Sequence, residues 1–410
     1  MTRPATPPTL RPWTFVVAFG VVSLLADMVY EGARSIIGPY LATLGASATI
    51  VGLVAGAGEF IGYGLRVVSG YAVTRTRSYW SWTIAGYALT VLSVPLIGMT
   101  GALVPALLLY GSERLGKAVR SPAKDTLLSY ASASTGRGSA FGVHQALDQT
   151  GAVLGPLLLA AVLAWRQGDY RLAFAALVVP GVLLMGLLVW LRVRVPEPTV
   201  YEPEATATSL PTAAVTQAAP LPRLYWSYVA CIGLLSVGVA SFPLIAFHAE
   251  SRGGLSAPQI PLLFALAMAV DGLSGLVVGR LYDANGPYVL LAVPVAAAVS
   301  ALTFSANAGL IWAGVAVWGL VSGVLDSTAK AVVSDLVPHT RRAVAFGWLS
   351  FVRGLALLAG GGLLGFLYDV RLSALVTAII VVNAAALLGL ALVIRRVRQA
   401  TSRRRPTRRP

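Results

Sequence analysis

Long apolar blocks separated by short polar breaks run the length of this 410-residue chain. A helix that crosses a bilayer needs about 20 predominantly apolar residues. Blocks of that size predict spans near 13–43, 49–73, 79–99, 103–127, 138–163 and 171–191. A second set is predicted near 223–248, 258–280, 287–305, 308–334, 342–366 and 371–394. That is twelve helices, six on each side of a polar segment at 192–222. The first block is too long for the apolar region of a cleavable signal, so it is expected to be the first span.

The two halves repeat one another. Ala123-Lys124 is followed seventeen residues on by Ala140-Phe141-Gly142, with Arg137 just before. Ala329-Lys330 is followed sixteen residues on by Ala345-Phe346-Gly347, with Arg341-Arg342 just before. Such a repeat in an apolar chain implies a transporter-like protein of two similar halves. The expected fold is therefore an all-α integral membrane protein of two pseudo-symmetric six-helix bundles. Its expected parts are residues 1–195, a linker at 196–222, residues 223–394 and a basic tail at 395–410.

Charge orients the chain. Arg3, Arg11, Arg75, Arg77, Lys124, Arg137, Arg192, Arg194, Arg280, Lys330, Arg341, Arg342 and eight tail arginines fall on one side. The opposite loops hold only Arg166, Arg171, Arg252 and Arg371. The positive-inside rule then places both termini and the linker in the cytoplasm. Composition agrees, with 57% hydrophobic and 11% charged residues, against about 25% charged in a soluble domain. The net charge of +15 is crowded into short inter-span segments and the tail, so it suggests anionic lipid headgroups rather than nucleic acid. The single cysteine, Cys231, excludes an intramolecular disulfide, and His144, His248 and His339 lie far apart, so no metal site is expected.

Local patterns sharpen this. Gly279-Arg280-Leu281-Tyr282-Asp283-Ala284-Asn285-Gly286 spells G-x-x-x-D-x-x-G after the eighth span. The matching stretch after the second span keeps Gly70 and Arg75 but has Thr74 in place of the acid. The fifth span carries Gly142, Gly151, Gly155 and Pro156, and the fourth carries Arg114-Leu115-Gly116. Over essentially the whole chain these resemble the major facilitator superfamily (MFS). The loop pattern resembles that family's cytoplasmic signature, and the fifth-span pattern the antiporter signature of its drug/proton efflux branches. The resemblance implies gating roles for Gly70, Arg75, Gly279, Asp283 and Gly286, with Asp283 latching a neighbouring helix end or arginine. Gly151, Gly155 and Pro156 would let helices approach closely and bend; each glycine also suits plain helix packing.

An ionised group at mid-bilayer costs at least about 2.5–3.5 kcal/mol, which makes intramembrane charges functional candidates. Asp27, Glu31 and Arg34 are spaced i, i+4, i+7 on one face of the first span, beside Tyr30. Two carboxylates sharing one arginine in a dry site cannot both ionise comfortably, so one is expected to carry a proton near neutral pH. A structural ion-pair cluster would have the same spacing. Glu59 and Arg66 share a face of the second span, and Glu113 and Arg114 lie in the fourth, where Glu113 is also spaced to pair with Lys117. Lys117 and Arg120 suit the cytoplasmic end of that helix. Asp326 and Lys330 have the same i, i+4 spacing in the tenth span. Asp148 and Arg353 occupy equivalent places in the two halves with opposite charge, His144 precedes Asp148 by one turn, and Asp271 is a deep acid of the eighth span. Tyr30, Tyr63, Tyr110, Phe141, Trp348 and Phe351 are candidates for substrate stacking. Trp13, Trp80, Trp82, Trp190 and Trp226 fall at span ends, as interfacial anchors do.

Proton coupling is therefore expected at Asp27, Glu31, Arg34 and Asp148. Substrate contact is expected at Tyr30, Glu59, Arg66, Glu113, Arg114, His144, Asp271 and Arg353. The leading expectation is a proton-coupled secondary transporter, without cofactor and monomeric, in the inner (plasma) membrane, exporting a small organic molecule by proton antiport. The alternatives are an importer or uniporter of a small anionic metabolite, with Arg34, Arg114 and Arg353 holding the anion, and a divalent-metal exporter using Asp27, Glu31 and His144. No nucleophile–base pair or phosphate-cradling loop is found, so neither an enzyme nor an ATP-driven pump is expected.

Overall fold

The computed structural model describes residues 10–201, 220–338 and 341–402, so linker residues 202–219 and tail residues 403–410 lie outside the described residues. Among the described residues every regular element is helical. The α-helices are α1 (Pro12–Thr43), α2 (Ala48–Thr76), α3 (Tyr79–Met99), α4 (Leu103–Thr135), α5 (Arg137–Trp165), α6 (Tyr170–Ala176) and α7 (Val178–Arg194). They continue as α8 (Arg223–Val237), α9 (Phe242–Ser251), α10 (Gln259–Asn285), α11 (Ala292–Val299), α12 (Ala308–Leu336), α13 (Arg342–Val370) and α14 (Leu372–Ser402). Short 3-10 turns at Pro198–Tyr201, Gly286–Leu291 and Ser300–Phe304 complete the set.

Among the described residues ten segments are long and apolar enough to cross a membrane by length and composition. One of them, Gln259–Phe304, is 46 residues and holds two crossings, α10 and then α11 with its flanking turns. α4 is not among the ten, because Glu113, Arg114, Lys117, Arg120 and Lys124 crowd its middle. With these two additions the described residues hold the expected 12 spans. α6 with α7, and α8 with α9, each form one broken crossing. The second break falls at Gly238, just before Pro243 in the first turn of α9, where a missing N–H is tolerated.

Large apolar side chains such as Met99, Leu108, Val179, Leu273 and Leu388 lie exposed along the helices. In water such surface would drive association; against lipid tails it is the expected exterior.

Contacts divide the chain into two units. The first holds α1 to Ile37, α2 from Gly64, α3 to α7, and residues 257–265. Its core packs Phe15, Phe19, Trp80, Tyr87, Leu127, Leu184 and Leu188. Trp80, expected at the interface, is instead buried there and donates from Nε1 to the Val195 carbonyl at 3.1 Å. The second unit holds α1 from Gly38, α2 to Tyr63, α8, α9, α10 from Leu266, and α11 to α14. Its core is built around Tyr225 and Tyr228, whose hydroxyls donate to the Ala345 and Ala329 carbonyls at 2.7 and 2.9 Å.

Glycines set the closest crossings. A Cβ on Gly151 would strike the Leu24 backbone and one on Gly155 the Met28 backbone, so α5 lies directly on α1. Gly86 and Gly116 face each other in the same way between α3 and α4, each blocked by the other's carbonyl oxygen. In the second unit Gly52 and Gly361, and Ala48 and Gly365, bring α2 against α13.

Candidate functional site

The α1–α5 crossing places two acids side by side. Asp27 and Glu31 are only 5% and 6% exposed, one helical turn apart on α1. Asp148 on α5 and Glu31 are the carboxylates that act most strongly on Asp27, opposed by the ammonium groups of Lys124 and Lys117. Lys124 Nζ lies 4.0 Å from Asp148 Oδ1, and Arg34 Nη1 lies 3.5 Å from Glu31 Oε2. The Arg34 guanidinium also sits 5.8 Å from the Phe264 ring. His144 is buried against Phe19, with Nε2 3.3 Å from Ser23 Oγ, so it ties α5 to α1 close to Asp148.

α4 supplies the other wall, and here the structure departs from expectation. The helix continues to Thr135, eight residues past the expected end at 127. Lys117, Arg120 and Lys124 therefore lie well inside it rather than at its cytoplasmic end. Spaced three and four residues apart, they share one face. Lys117 Nζ sits 4.1 Å from the centroid of the Tyr30 ring, and the Arg120 guanidinium 5.4 Å from the same ring and 4.6 Å from that of Tyr87. Glu113 contacts its neighbour Arg114, Oε2 to Nε 2.9 Å, and Arg114 lies over the Tyr110 ring at 5.0 Å. At 1% exposure Arg114 is the largest fully buried side chain described.

The second unit builds a smaller charged site with reversed polarity. Arg353 on α13 bonds Asp326 on α12 at 2.8 Å and lies 5.6 Å from the Tyr63 ring, with Glu59 near enough to act on both electrostatically. The expected Asp326–Lys330 pairing thus gives way to a bridge between helices. Each unit joins the corresponding two helices by an ion pair, base on α4 and acid on α5 in one, acid on α12 and base on α13 in the other. Tyr30, Tyr63 and Tyr110, singled out for substrate stacking, all lie beneath cations of the protein itself.

Arg66 is half-buried on α2, and Asp271 is half-buried on α10, where its carbonyl accepts from Ser274 Oγ at 2.9 Å. Gly70 is in ordinary contact with Pro122, Gly279 has open space around it, and Arg75 is exposed in the last turn of α2. Asp283 is exposed, and among the described residues it makes no hydrogen bond or ion pair, so the expected latch is not formed in this structure. Gly286 has φ +66°, a backbone conformation that favours glycine. Pro156 lies within α5, one residue past the Gly155 crossing. Among the described residues no group of three or more His, Cys, Asp or Glu side chains is arranged to hold a metal ion.

Sequence reasoning missed Lys117, Arg120 and Lys124 as site residues, and Asp369. The Asp369 carboxylate, at the end of α13, accepts from Ala48 N at 3.1 Å, Thr49 N at 2.8 Å and Thr49 Oγ1 at 2.6 Å, which caps the start of α2. Nothing in the local sequence marks that contact. The helical spacing of 117, 120 and 124 was readable.

Comparison with known proteins gives a consistent result. The family model described as Major Facilitator Superfamily matches residues 19–301 and 245–410. An uncharacterized protein of Mycobacterium tuberculosis is 46% identical over 384 residues, covering 93% of this chain and 93% of that protein. An uncharacterized MFS-type transporter of Methanocaldococcus jannaschii is 23% identical over 364 residues, 87% of this chain and 88% of that protein. The crystal structure of a point mutant of the nucleoside transporter NupG superimposes with a TM-score of 0.73 at 12% identity, covering 93% of this chain and 99% of that one.

Proposed function

Since the chain belongs to the major facilitator superfamily, and is a multi-pass membrane transporter rather than an enzyme, we propose that it is a proton-driven secondary transporter of a small organic molecule. It works by alternating access between halves 1–195 and 223–394, as a monomer. In this reading it resides in the plasma membrane with both termini and the linker cytoplasmic, the arginine tail lies on anionic lipid, and the proton gradient takes the place of a cofactor.

The observation that carries the reading is the gathering of Asp27, Glu31 and Asp148 against Lys117 and Lys124 among apolar helices. A proton is the smallest change that rebalances such a cluster. Its arrival alters which of the conformational states is favoured, by as much as its affinity differs between them. Asp27 is the residue that takes and releases it, because Arg34 already engages Glu31 and Lys124 engages Asp148.

Two directions of coupling suit such a site. Exchange, with export of the substrate, is favoured by Gly151 and Gly155, which seat α5 on α1 in the pattern resembling antiporters. Co-transport of an anion is favoured by the excess of cations on α4.

The test is flux in everted membrane vesicles holding an imposed pH gradient, with cationic, neutral and anionic compounds added in turn. Compound-dependent dissipation of the gradient that disappears in Asp27→Asn is the expected result. Undiminished proton-linked flux in that variant refutes the assignment of Asp27.

A further inference from the structure

In the second unit α10 and α12 touch closely at one level and then part. A Cβ on Gly319 would strike the Ala267 backbone and one on Gly323 the Asp271 carbonyl, so the helices lie directly against each other there. One turn further along α10, a Cβ on Gly275 would stand 3.9 Å from Ser327 Oγ and 4.0 Å from the Gly323 carbonyl oxygen. A turn beyond that, one on Gly279 would meet nothing within 4 Å. Gly319, Gly323, Asp326 and Lys330 are spaced i, i+4, i+7, i+11, which makes them a single stripe of α12. The stripe is covered by α10 while it is glycine and uncovered where it becomes charged.

Asp326 lies ten residues before the end of α12, about 15 Å inside it. A charge turned to lipid at that depth would cost at least about 2.5–3.5 kcal/mol. The Asp326 side chain is nonetheless 54% exposed, and Lys330 is exposed on the same stripe. The gap beside α10 is therefore one that water enters. Asp326 and Lys330 are spaced to pair with each other, yet they do not. Asp326 Oδ1 accepts from Arg353 Nη1 at 2.8 Å, and among the described residues Lys330 has no carboxylate within 4.0 Å. The gap thus presents a carboxylate anchored from α13 and, one turn away, an open ammonium.

We propose that the gap between α10 and α12 is a substrate subsite for a small zwitterion, with Asp326 receiving its ammonium group and Lys330 its carboxylate. This rests on the reading of the chain as a transporter of a small organic molecule and names the class of that molecule. Residues one turn apart on a helix face have Cβ atoms about 5–6 Å apart. A lone anion drawn to Lys330 meets the Asp326 carboxylate at that range, and a lone cation drawn to Asp326 meets Lys330 and Arg353. A molecule that carries an amine and a carboxylate on one short skeleton sets each charge against its opposite. Hydrogen bonds to charged groups are the stronger kind, so the two contacts together select the zwitterion over either single charge. Arg353 is a positioning residue here rather than an anion receptor. Its side chain is only 11% exposed, its Nη1 is committed to Asp326, and its guanidinium lies 5.6 Å from the Tyr63 ring. Gly275 and Gly279, having no side chains, leave room for the skeleton.

Ligand-dependent thermal stabilisation of the purified full chain in detergent tests this without calling on transport. The probes are glycine, β-alanine, γ-aminobutyrate and ε-aminohexanoate, with butyrate and butylamine as single-charge controls. The expected result is stabilisation by at least one zwitterion and by neither control. Its half-saturating concentration should rise at least about tenfold in Lys330→Gln and in Asp326→Asn, the loss of one hydrogen bond to a charged group, and return toward wild type in Lys330→Arg. Lys330 is exposed and unpaired, so its variants remain informative where Asp326→Asn, which releases Arg353, does not fold. Stabilisation by no zwitterion, equal stabilisation by butyrate or butylamine, or a zwitterion effect undiminished in Lys330→Gln overturns the subsite. The same probes added to vesicles holding a pH gradient separate the two readings. Zwitterion binding without proton-linked flux supports the subsite and refutes the proton-driven reading. Proton-linked flux of butyrate or butylamine, with no zwitterion bound, does the reverse.

Discussion

Gly142 and Gly155 belong to one fifth-span pattern, yet their surroundings differ enough for alanine substitution to have opposite effects. A Cβ on Gly155 would meet the Met28 carbonyl oxygen, its Cα at 2.7 Å and its carbonyl carbon at 2.9 Å. Ordinary carbon contacts are about 3.5–4.0 Å, so α1 and α5 must part by about 1 Å at this crossing. The obstacle is backbone and cannot rotate aside. Overpacking of this kind costs about 1–3 kcal/mol. Replacing glycine by alanine within a helix returns about 1 kcal/mol, which leaves Gly155→Ala less stable than wild type by up to about 2 kcal/mol. A Cβ on Gly142 has nothing within 4 Å, so Gly142→Ala keeps the whole gain. The same parting moves Asp27 and Glu31 away from Asp148. Gly155→Ala should therefore also lose proton-linked flux, while Gly142→Ala retains it. Thermal unfolding of the purified protein in detergent and flux in proteoliposomes measure the two effects. Gly155→Ala melting as high as Gly142→Ala, with wild-type flux, would refute the close α1–α5 crossing and the argument built on it.

Two further predictions concern contacts outside the first-unit site. Because the Asp326 side chain is 54% exposed and that of Arg353 only 11%, a double-mutant cycle of Asp326→Asn with Arg353→Met should give a coupling of about 0.5–1 kcal/mol, near the value for a solvent-screened pair. Strict additivity of the two substitutions would show that the bridge contributes nothing. Asp369→Ala removes the cap of α2 and should cost about 1 kcal/mol, seen as faster amide hydrogen exchange at Ala48 and Thr49, with Asp369→Asn partly protected by its amide oxygen. Exchange unchanged in the alanine variant would remove Asp369 as the cap.

How much of this was legible in the sequence follows from where each residue lies against lipid. The spans were readable because lipid-facing positions must be apolar and each crossing has a minimum length. α3 begins at Tyr79 and ends at Met99, as expected. Asp27 and Glu31 were readable because a charge in the middle of a long apolar run has little other explanation. Broken crossings were not, since Gly238 and Pro243 leave the apolar count intact while interrupting the helix. Nor were contacts between distant segments. Asp369 on Thr49 and Arg353 on Asp326 depend on helix packing that no local spacing encodes.

α4 shows why the most charged part of the site was the hardest to read. A helix that turns only one side to lipid need not be apolar throughout, because the polar groups of its inner side find partners in the protein rather than in lipid. Gly86 and Gly116 bring α3 hard against α4, where Arg120 meets the Tyr87 ring, while Lys117 finds the Tyr30 ring on α1 and Lys124 a carboxylate on α5. The enrichment in charge that makes α4 chemically capable also removes its hydropathy signal. Lys124, counted among the loop charges that orient the chain, lies eleven residues before the helix end. At 1.5 Å of rise per residue that is about 16 Å inside it. In a chain of this class a predicted span rich in bases at helical spacing is therefore evidence of a helix with a charged face turned into the protein, and its bases belong in the inventory of the site before they are assigned to a loop.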